Sequence, residues 1–162
     1  MEQPFDIRPI TREMVGMIRL NPAEPHRHDH EELLILTHGH PEHFIDFKSV
    51  VLIPPVIVYV AHGKVHSFIP DEETRGWVIR YSSDFIPQNR FNFYSGFLDE
   101  IECPLDADFC TTTMHDLCGI MLREQEQDPP DLNMLRYLLQ AVLTKLETAT
   151  KKQYFDPRIA RN

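Results

Sequence analysis

Glycine is scarce in this chain: 6 residues in 162, against 13 prolines. No glycine-rich loop is present to cradle a phosphate, which excludes nucleotide-binding fingerprints of that kind. Cysteine is scarcer still. Cys103, Cys110 and Cys118 are odd in number and form no CxxC, so they read as reduced thiols in a cytosolic protein. Long apolar runs are missing too. The longest, 50–61, is interrupted by Pro54 and Pro55 and falls well short of the roughly 18 residues that a membrane span needs. No basic-then-apolar segment precedes a small-residue cleavage site near the start. A cytoplasmic protein without membrane contact is therefore expected. Positive charge is in short supply, with 16 Lys and Arg against 25 Asp and Glu, a net −9. A chain this acidic is a poor stand-alone nucleic-acid binder, because neutralising phosphates takes clustered Lys and Arg. Internal repeats and low-complexity tracts are absent.

What is present is an ordinary globular composition, 42% apolar and 25% charged. The length suits one domain with a short appendage and can bury a core without staples. The charge is uneven: residues 143–162 hold five basic and two acidic side chains, +3, which leaves −12 on the first 142. The pattern changes character near residue 110. Before it, short apolar or alternating runs at 32–37, 43–47, 50–53, 56–60, 67–69 and 77–81 read as strands, and many short strands at close spacing predict a sandwich or barrel. Pro54-Pro55 cannot sit within a ladder and marks a break between two of them. The aromatic-rich stretch 84–98 reads as loop or short helix, its Phe and Tyr residues as a hydrophobic patch or a subunit interface.

After residue 110 the period is helical. Thr111–Thr113 offers N-caps for a helix over 114–127, and Asp128-Pro129-Pro130 stops it. Asp131 caps a second helix over 132–151. Leu132, Leu135, Leu139, Val142 and Leu146 alternate steps of three and four along it, a seam that suits a homodimer contact; Met134, Leu138 and Leu143 lie to the side. The alternative is that both apolar faces pack within one subunit. The organisation expected is a β-barrel with an N-terminal arm over 1–110, a helical pair over 111–151, and a linker-like tail over 152–162.

The segment Pro25-His26-Arg27-His28-Asp29-His30-Glu31-Glu32 holds 3 of the 9 histidines. On a strand His26 and His28 share a face, and Glu32 shares their parity. With a distant His66 they make a three-His, one-carboxylate set: His26, His28, Glu32 and His66. Such a set suits a borderline divalent first-row metal, Zn, Fe, Mn or Ni, and does not choose among them. The other reading is that these side chains satisfy one another by hydrogen bonding inside the barrel. His30, His38, His40, His43 and His62 read as surface or turn residues. No Ser/His/Asp or Cys/His set is legible from spacing.

These residues carry a resemblance. His26-x-His28-x-x-x-Glu32, with Gly39 after it, matches the first cupin motif except for its leading Gly, where this chain has Leu20. Gly63-x-x-His66 matches the core of the second, with Ala61 and Pro70 in place of its usual Pro and Asn. Taken with Asp29, Leu33, Leu52-Ile53-Pro54-Pro55, Val65-His66-Ser67-Phe68 and Gly76-Trp77-Val78-Ile79-Arg80-Tyr81, the order resembles the N-terminal sensing domain of AraC-type transcription regulators. The resemblance runs from about Met17 to Lys151. It implies a mainly β, cupin-like double-stranded β-helix, or jelly-roll barrel, followed by two α-helices that carry dimer contacts. It also implies a small-molecule effector inside the barrel, and DNA contact only through a C-terminal helix-turn-helix half that has no counterpart here.

On that reading Glu32, Leu34 and Leu36 face inward with His26, His28 and His66, Trp77 or Tyr81 forms a wall, and Arg8 or Arg19 lies over the mouth and meets an anionic ligand. The plainer reading of each is core packing or a solvated charge. The expected function is effector sensing and dimerisation for a transcription regulator, without catalysis. The alternatives are a stand-alone metal-dependent cupin, enzyme or sugar-binding module, and a pure dimerisation module with a filled barrel.

Overall fold

The structure, a computed structural model, describes residues 3–27, 29–87, 102–104 and 106–154. Eight strands are found among them: β1 (Phe5–Ile10), β2 (Glu31–His38), β3 (Glu42–Ile45), β4 (Lys48–Val51), β5 (Val56–Val60), β6 (His66–Ile69), β7 (Arg75–Tyr81) and β8 (Glu102–Pro104). The helices are α1 (Arg12–Leu20), α2 (His115–Gln125), which a π-helical turn at Phe109–Met114 leads into, and α3 (Leu132–Tyr154). The strands form two antiparallel sheets, β1-β7-β2-β5-β8 and β4-β3-β6. This is a mainly β fold of two antiparallel sheets with helices. Six strands lie within two residues of their predicted edges. β1, α1 and β8 were not anticipated. The predicted aromatic patch beyond residue 87 falls outside the described residues.

The central strands explain why their sequences read as continuous apolar runs. All five residues of β5 and the first six of β2 are buried, because the large sheet is covered on both faces. Odd-numbered Leu33, Ile35, Ile57, Tyr59, Trp77, Ile79 and Tyr81 face the helices and pack with Cys110, Met114, Cys118 and Met121. Even-numbered Leu34, Leu36, Val56, Val58, Val60 and Val78 face the barrel interior, where Ile45 and Leu52 meet them. Burial pushes the Cys118 thiol well above its ordinary range, so that side chain packs as a small apolar group.

This burial corrects the expected dimer seam. Leu135, Leu139, Val142 and Leu146 are at most 1% exposed and lie in the chain's own core beside Leu143. Only Leu132 of that set is exposed, at 40%. The second apolar face of α3 is weaker: Met134 and Tyr137 stand out to solvent.

Local devices hold the elements in place. Thr11 caps α1 by accepting from the Met14 N–H at 3.1 Å, and Asp131 caps α3 by accepting from Asn133 and Met134. Asp46 and Phe47 both have positive φ, as the tight β3–β4 hairpin requires. β1 is an edge strand, and Gln125 caps its exposed backbone. The Ile7 N–H donates to Gln125 Oε1 at 2.7 Å, and Gln125 Nε2 donates back to the Ile7 carbonyl at 2.9 Å.

Gly76 sits where β7 passes the end of the β2 ladder, at φ +148°. A Cβ there would lie 1.9 Å from the Ile35 carbonyl oxygen, a contact with backbone that no rotamer relieves. Gly76→Ala is expected to cost about 3 kcal/mol or more. Urea unfolding checks this, and a loss under about 1 kcal/mol would contradict it.

Candidate functional site

The inner face of the large sheet carries one row of charges and one row that is apolar except for Arg8 at its edge. Asp6 pairs with Arg80 and Arg80 with Glu32 across β1, β7 and β2; one pleat further on, Arg8, Val78 and Leu34 align. Side chains directly opposite in antiparallel strands share a face, so the charges sit side by side. Arg80 Nε donates to Glu32 Oε2 at 3.4 Å, and Arg8 Nε to Asp6 Oδ2 at 3.2 Å. Glu32 is almost wholly buried, and His30 Nε2 stands 3.8 Å from its Oε2.

Histidines form the opposite rim. His26 and His66 make an isolated antiparallel bridge, each N–H donating to the other's carbonyl at 2.9 Å, and their rings lie 4.9 Å apart. Behind them His43 is 1% exposed. Its Nε2 lies 3.2 Å from His66 Nδ1, so one ring must bring the proton and the other a bare nitrogen. Among the described residues His43 Nδ1 has no hydrogen-bond partner. Burial lowers the pKa of His43 to about 4, against the opposing pull of the Glu32 charge.

Between these walls lies a cavity of about 270 Å³. Met14 and Ile18 of α1 roof it, and Ala23, Leu34, Phe68 and Val78 supply its apolar lining. The segment after α1 is tied down over the barrel: Ser67 Oγ donates to the Ala23 carbonyl, and Arg27 Nη1 to the Gly63 carbonyl.

Of the residues named from sequence, Arg8, His26, Glu32, Leu34 and His66 line this cavity. His28 lies outside the described residues. Leu36 is buried deeper in the interior cluster. Trp77 and Tyr81 do not form a wall. They are odd-numbered on β7, and Ile35 opposite Trp77 fixes that parity on the helix-facing side. Arg19 is also off the site. Its Nη1 donates to the Pro70 carbonyl at 3.1 Å, in a groove on the outer side of α1.

The three described members of the predicted metal set do not form a metal-binding group; among the described residues no cluster of three or more His, Cys, Asp or Glu does. His66 Nδ1 faces His43, His26 Nδ1 lies 2.9 Å from the Glu24 carbonyl, and Glu32 is engaged by Arg80.

Sequence reasoning missed Asp6, Met14, Ile18, Phe68, Val78 and Arg80, and it put His43 on the surface. The alternation Phe5-Asp6-Ile7-Arg8 was a signal for β1. Arg80 and Val78 needed the β2–β7 register, which no single strand reveals.

No protein-family model matches the chain, and no curated protein matches it. Among solved structures it is similar to protein NMB1881 from Neisseria meningitidis, at 12% identity over 49% of this chain and 72% of that one, with a TM-score of 0.35. It is also similar to a cupin 2 domain-containing protein from Halorhodospira halophila, at 22% identity over 51% and 55%, TM-score 0.37. A third is the AraC-like transcriptional activator CuxR, at 9% identity over 91% of this chain and 49% of that one, TM-score 0.48.

Proposed function

We propose that this chain is the effector-sensing half of an AraC-type transcription regulator and that a small molecule binds in the barrel beneath α1. The observation that carries the reading is the cavity roofed by the N-terminal segment, with charged groups at its mouth and apolar side chains below. A dimerisation module with a filled barrel offers no such space.

Coupling to the helices runs through β1. Asp6 and Arg8 face the cavity, while the backbone of Ile7 between them is held by Gln125 at the end of α2. A ligand that reorders Met14, Ile18 or Arg8 acts on a strand whose edge is tied to the helical pair. It moves that pair only if it binds the two arrangements with different affinity. In the cytoplasm the chain pairs with a second copy, and DNA is contacted only through a separate helix-turn-helix half. With the predicted seam buried at home, the second copy meets Met134 and Tyr137, one turn apart on the exposed side of α3.

The test is hydrogen exchange on residues 10–20 and 115–125, with and without a ligand found by thermal-shift screening. Both segments become protected in the wild type, and Gln125→Ala retains the first response while losing the second. A bound ligand that changes neither segment sinks the arm-coupling mechanism.

A further inference from the structure

Two guanidinium groups at the cavity keep their terminal hydrogen-bonding edges unused. Arg80 lies opposite Asp6 and Arg8 opposite Val78, which makes the two arginines diagonal neighbours on one face of adjacent strands, within joint reach of a single small group. Each sends only its Nε to a carboxylate, Arg8 to Asp6 at 3.2 Å and Arg80 to Glu32 at 3.4 Å. Among the described residues, the terminal Nη1 and Nη2 groups of both make no hydrogen bond to protein. The two side chains are 65% and 45% exposed, so these donors stand in water at the mouth. Directly inward the surface turns apolar, at Leu34, Val78 and Phe68.

The spare polar capacity of Arg8 and Arg80 is therefore donor-only, and it sits at one end of an apolar space. That pattern selects a ligand with an acceptor-rich head and an apolar body. Guanidinium edges match a carboxylate in a planar, bidentate way. The flanking carboxylates of Asp6 and Glu32 already neutralise the two arginines, so a doubly charged phosphate would meet them as like charges, whereas a monoanion is tolerated. A polyhydroxylated ligand would meet Asp6, Glu32, His26 and His66 at the rim, but the hydroxyls it directed toward Leu34, Val78 and Phe68 would be left without partners. The cavity, about 270 Å³, holds on the order of nine water-sized groups at roughly 30 Å³ each.

We infer that the barrel takes a small organic monocarboxylate, its head on the Nη edges of Arg8 and Arg80 and its apolar body directed toward Leu34 and Phe68. The inference rests on the barrel-ligand reading above and adds the chemical class. Both are tested by one titration. Hexanoate and 3-phenylpropanoate are compared with hexanamide and 3-phenylpropanamide, using the methyl NMR signals of Met14, Ile18, Leu34 and Val78. Those methyls report occupancy of the cavity whatever the head group. The carboxylates are expected to bind at least about tenfold more tightly than the amides, since a carboxylate brings a full charge and two acceptor oxygens to the guanidinium edges, whereas an amide brings one neutral acceptor and a donor that the arginines cannot use. Arg80→Gln, and independently Arg8→Gln, is expected to weaken carboxylate binding by about tenfold and amide binding by clearly less, so that the gap between the two sets narrows. Amides that bind as well as carboxylates overturn the carboxylate class while the barrel-ligand reading stands. Methyl signals that respond to neither set overturn both.

Discussion

Replacing Glu31 by alanine is expected to lower the free energy of unfolding by about 2–3 kcal/mol, a large part of what holds a domain of this size together. Glu31 is 1% exposed and its carboxylate gathers four groups. Tyr59 Oη donates to Oε2, Ser83 Oγ donates to Oε1 at 3.1 Å, the His62 backbone N–H donates to Oε2 at 3.3 Å, and His62 Nδ1 lies 2.9 Å from Oε1. These partners come from the end of β5, the loop after it and the turn after β7, so one side chain at the start of β2 pins three segments. Removing it takes an acceptor from the buried Tyr59 hydroxyl, which costs about 1–3 kcal/mol, and releases the half-buried Ser83 and the exposed His62 from the anchor. Glu31→Gln keeps the shape and half of the acceptors, so its loss should be intermediate. Urea unfolding at neutral pH measures both, and an alanine variant within about 1 kcal/mol of wild type would show that the cluster is not a pin. Ser83 and His62 do not form a nucleophile and base here. Both meet the same carboxylate oxygen, and Ser83 Oγ approaches the same His62 nitrogen that Glu31 engages.

A second large effect is a stability that falls with acidity because of His43. Its ordinary pKa is 6.5, and burial lowers it to about 4 in the folded chain. Above pH 6.5 the ring is neutral in both states and contributes no pH dependence. Between about 6.5 and 4 the unfolded chain binds a proton that the folded chain does not, so stability falls as pH falls. The slope is about 1.4 kcal/mol per pH unit, which accumulates to about 3 kcal/mol by pH 4 and then levels off. His43→Gln retains a hydrogen-bonding group toward His66 and cannot titrate. Unfolding curves for both proteins at pH 7.5 and pH 4.5 isolate this term from every other titrating group. The acid loss should be smaller in the variant by about 2–3 kcal/mol, and equal losses would mean that the ring takes its proton without unfolding.

The two cases show how differently the histidine-rich regions read from sequence and from structure. His62 and His43 both read as surface or turn residues in sequence, His62 between two strand-like runs and His43 at the start of one. His43 belongs to β3 and faces inward with Ile45, so it is desolvated and drawn to His66, while His62 lies on a loop and is mostly exposed. Nothing in the neighbouring residues signals that difference, because the parity of a four-residue strand is set by the sheet it joins. The same reason hid Arg80. Trp77 and Tyr81 draw the eye as aromatic walls, yet the register places Val78 and Arg80 on the cavity face. The α3 seam failed in a related way. The spacing of Leu135, Leu139, Val142 and Leu146 describes an apolar helix face, and an apolar face packs equally well on a sheet of its own chain or on a partner.

What the sequence determined by itself is the set of local elements. The run at 56–60 is a strand because β-branched residues crowd a helix and fit a pleated surface. The two C-terminal helices follow from their period and from Asp131 and the prolines before it. The pairing of those elements was decided only in the tertiary structure. Antiparallel register assigns each side chain to one of two faces, and a shift of one residue would exchange them all. That choice is made by the simultaneous burial of both faces of the large sheet, against the helices on one side and the smaller sheet on the other. It is also what brings Asp6, Arg8, Glu32 and Arg80, from three strands far apart in the chain, to one mouth under α1.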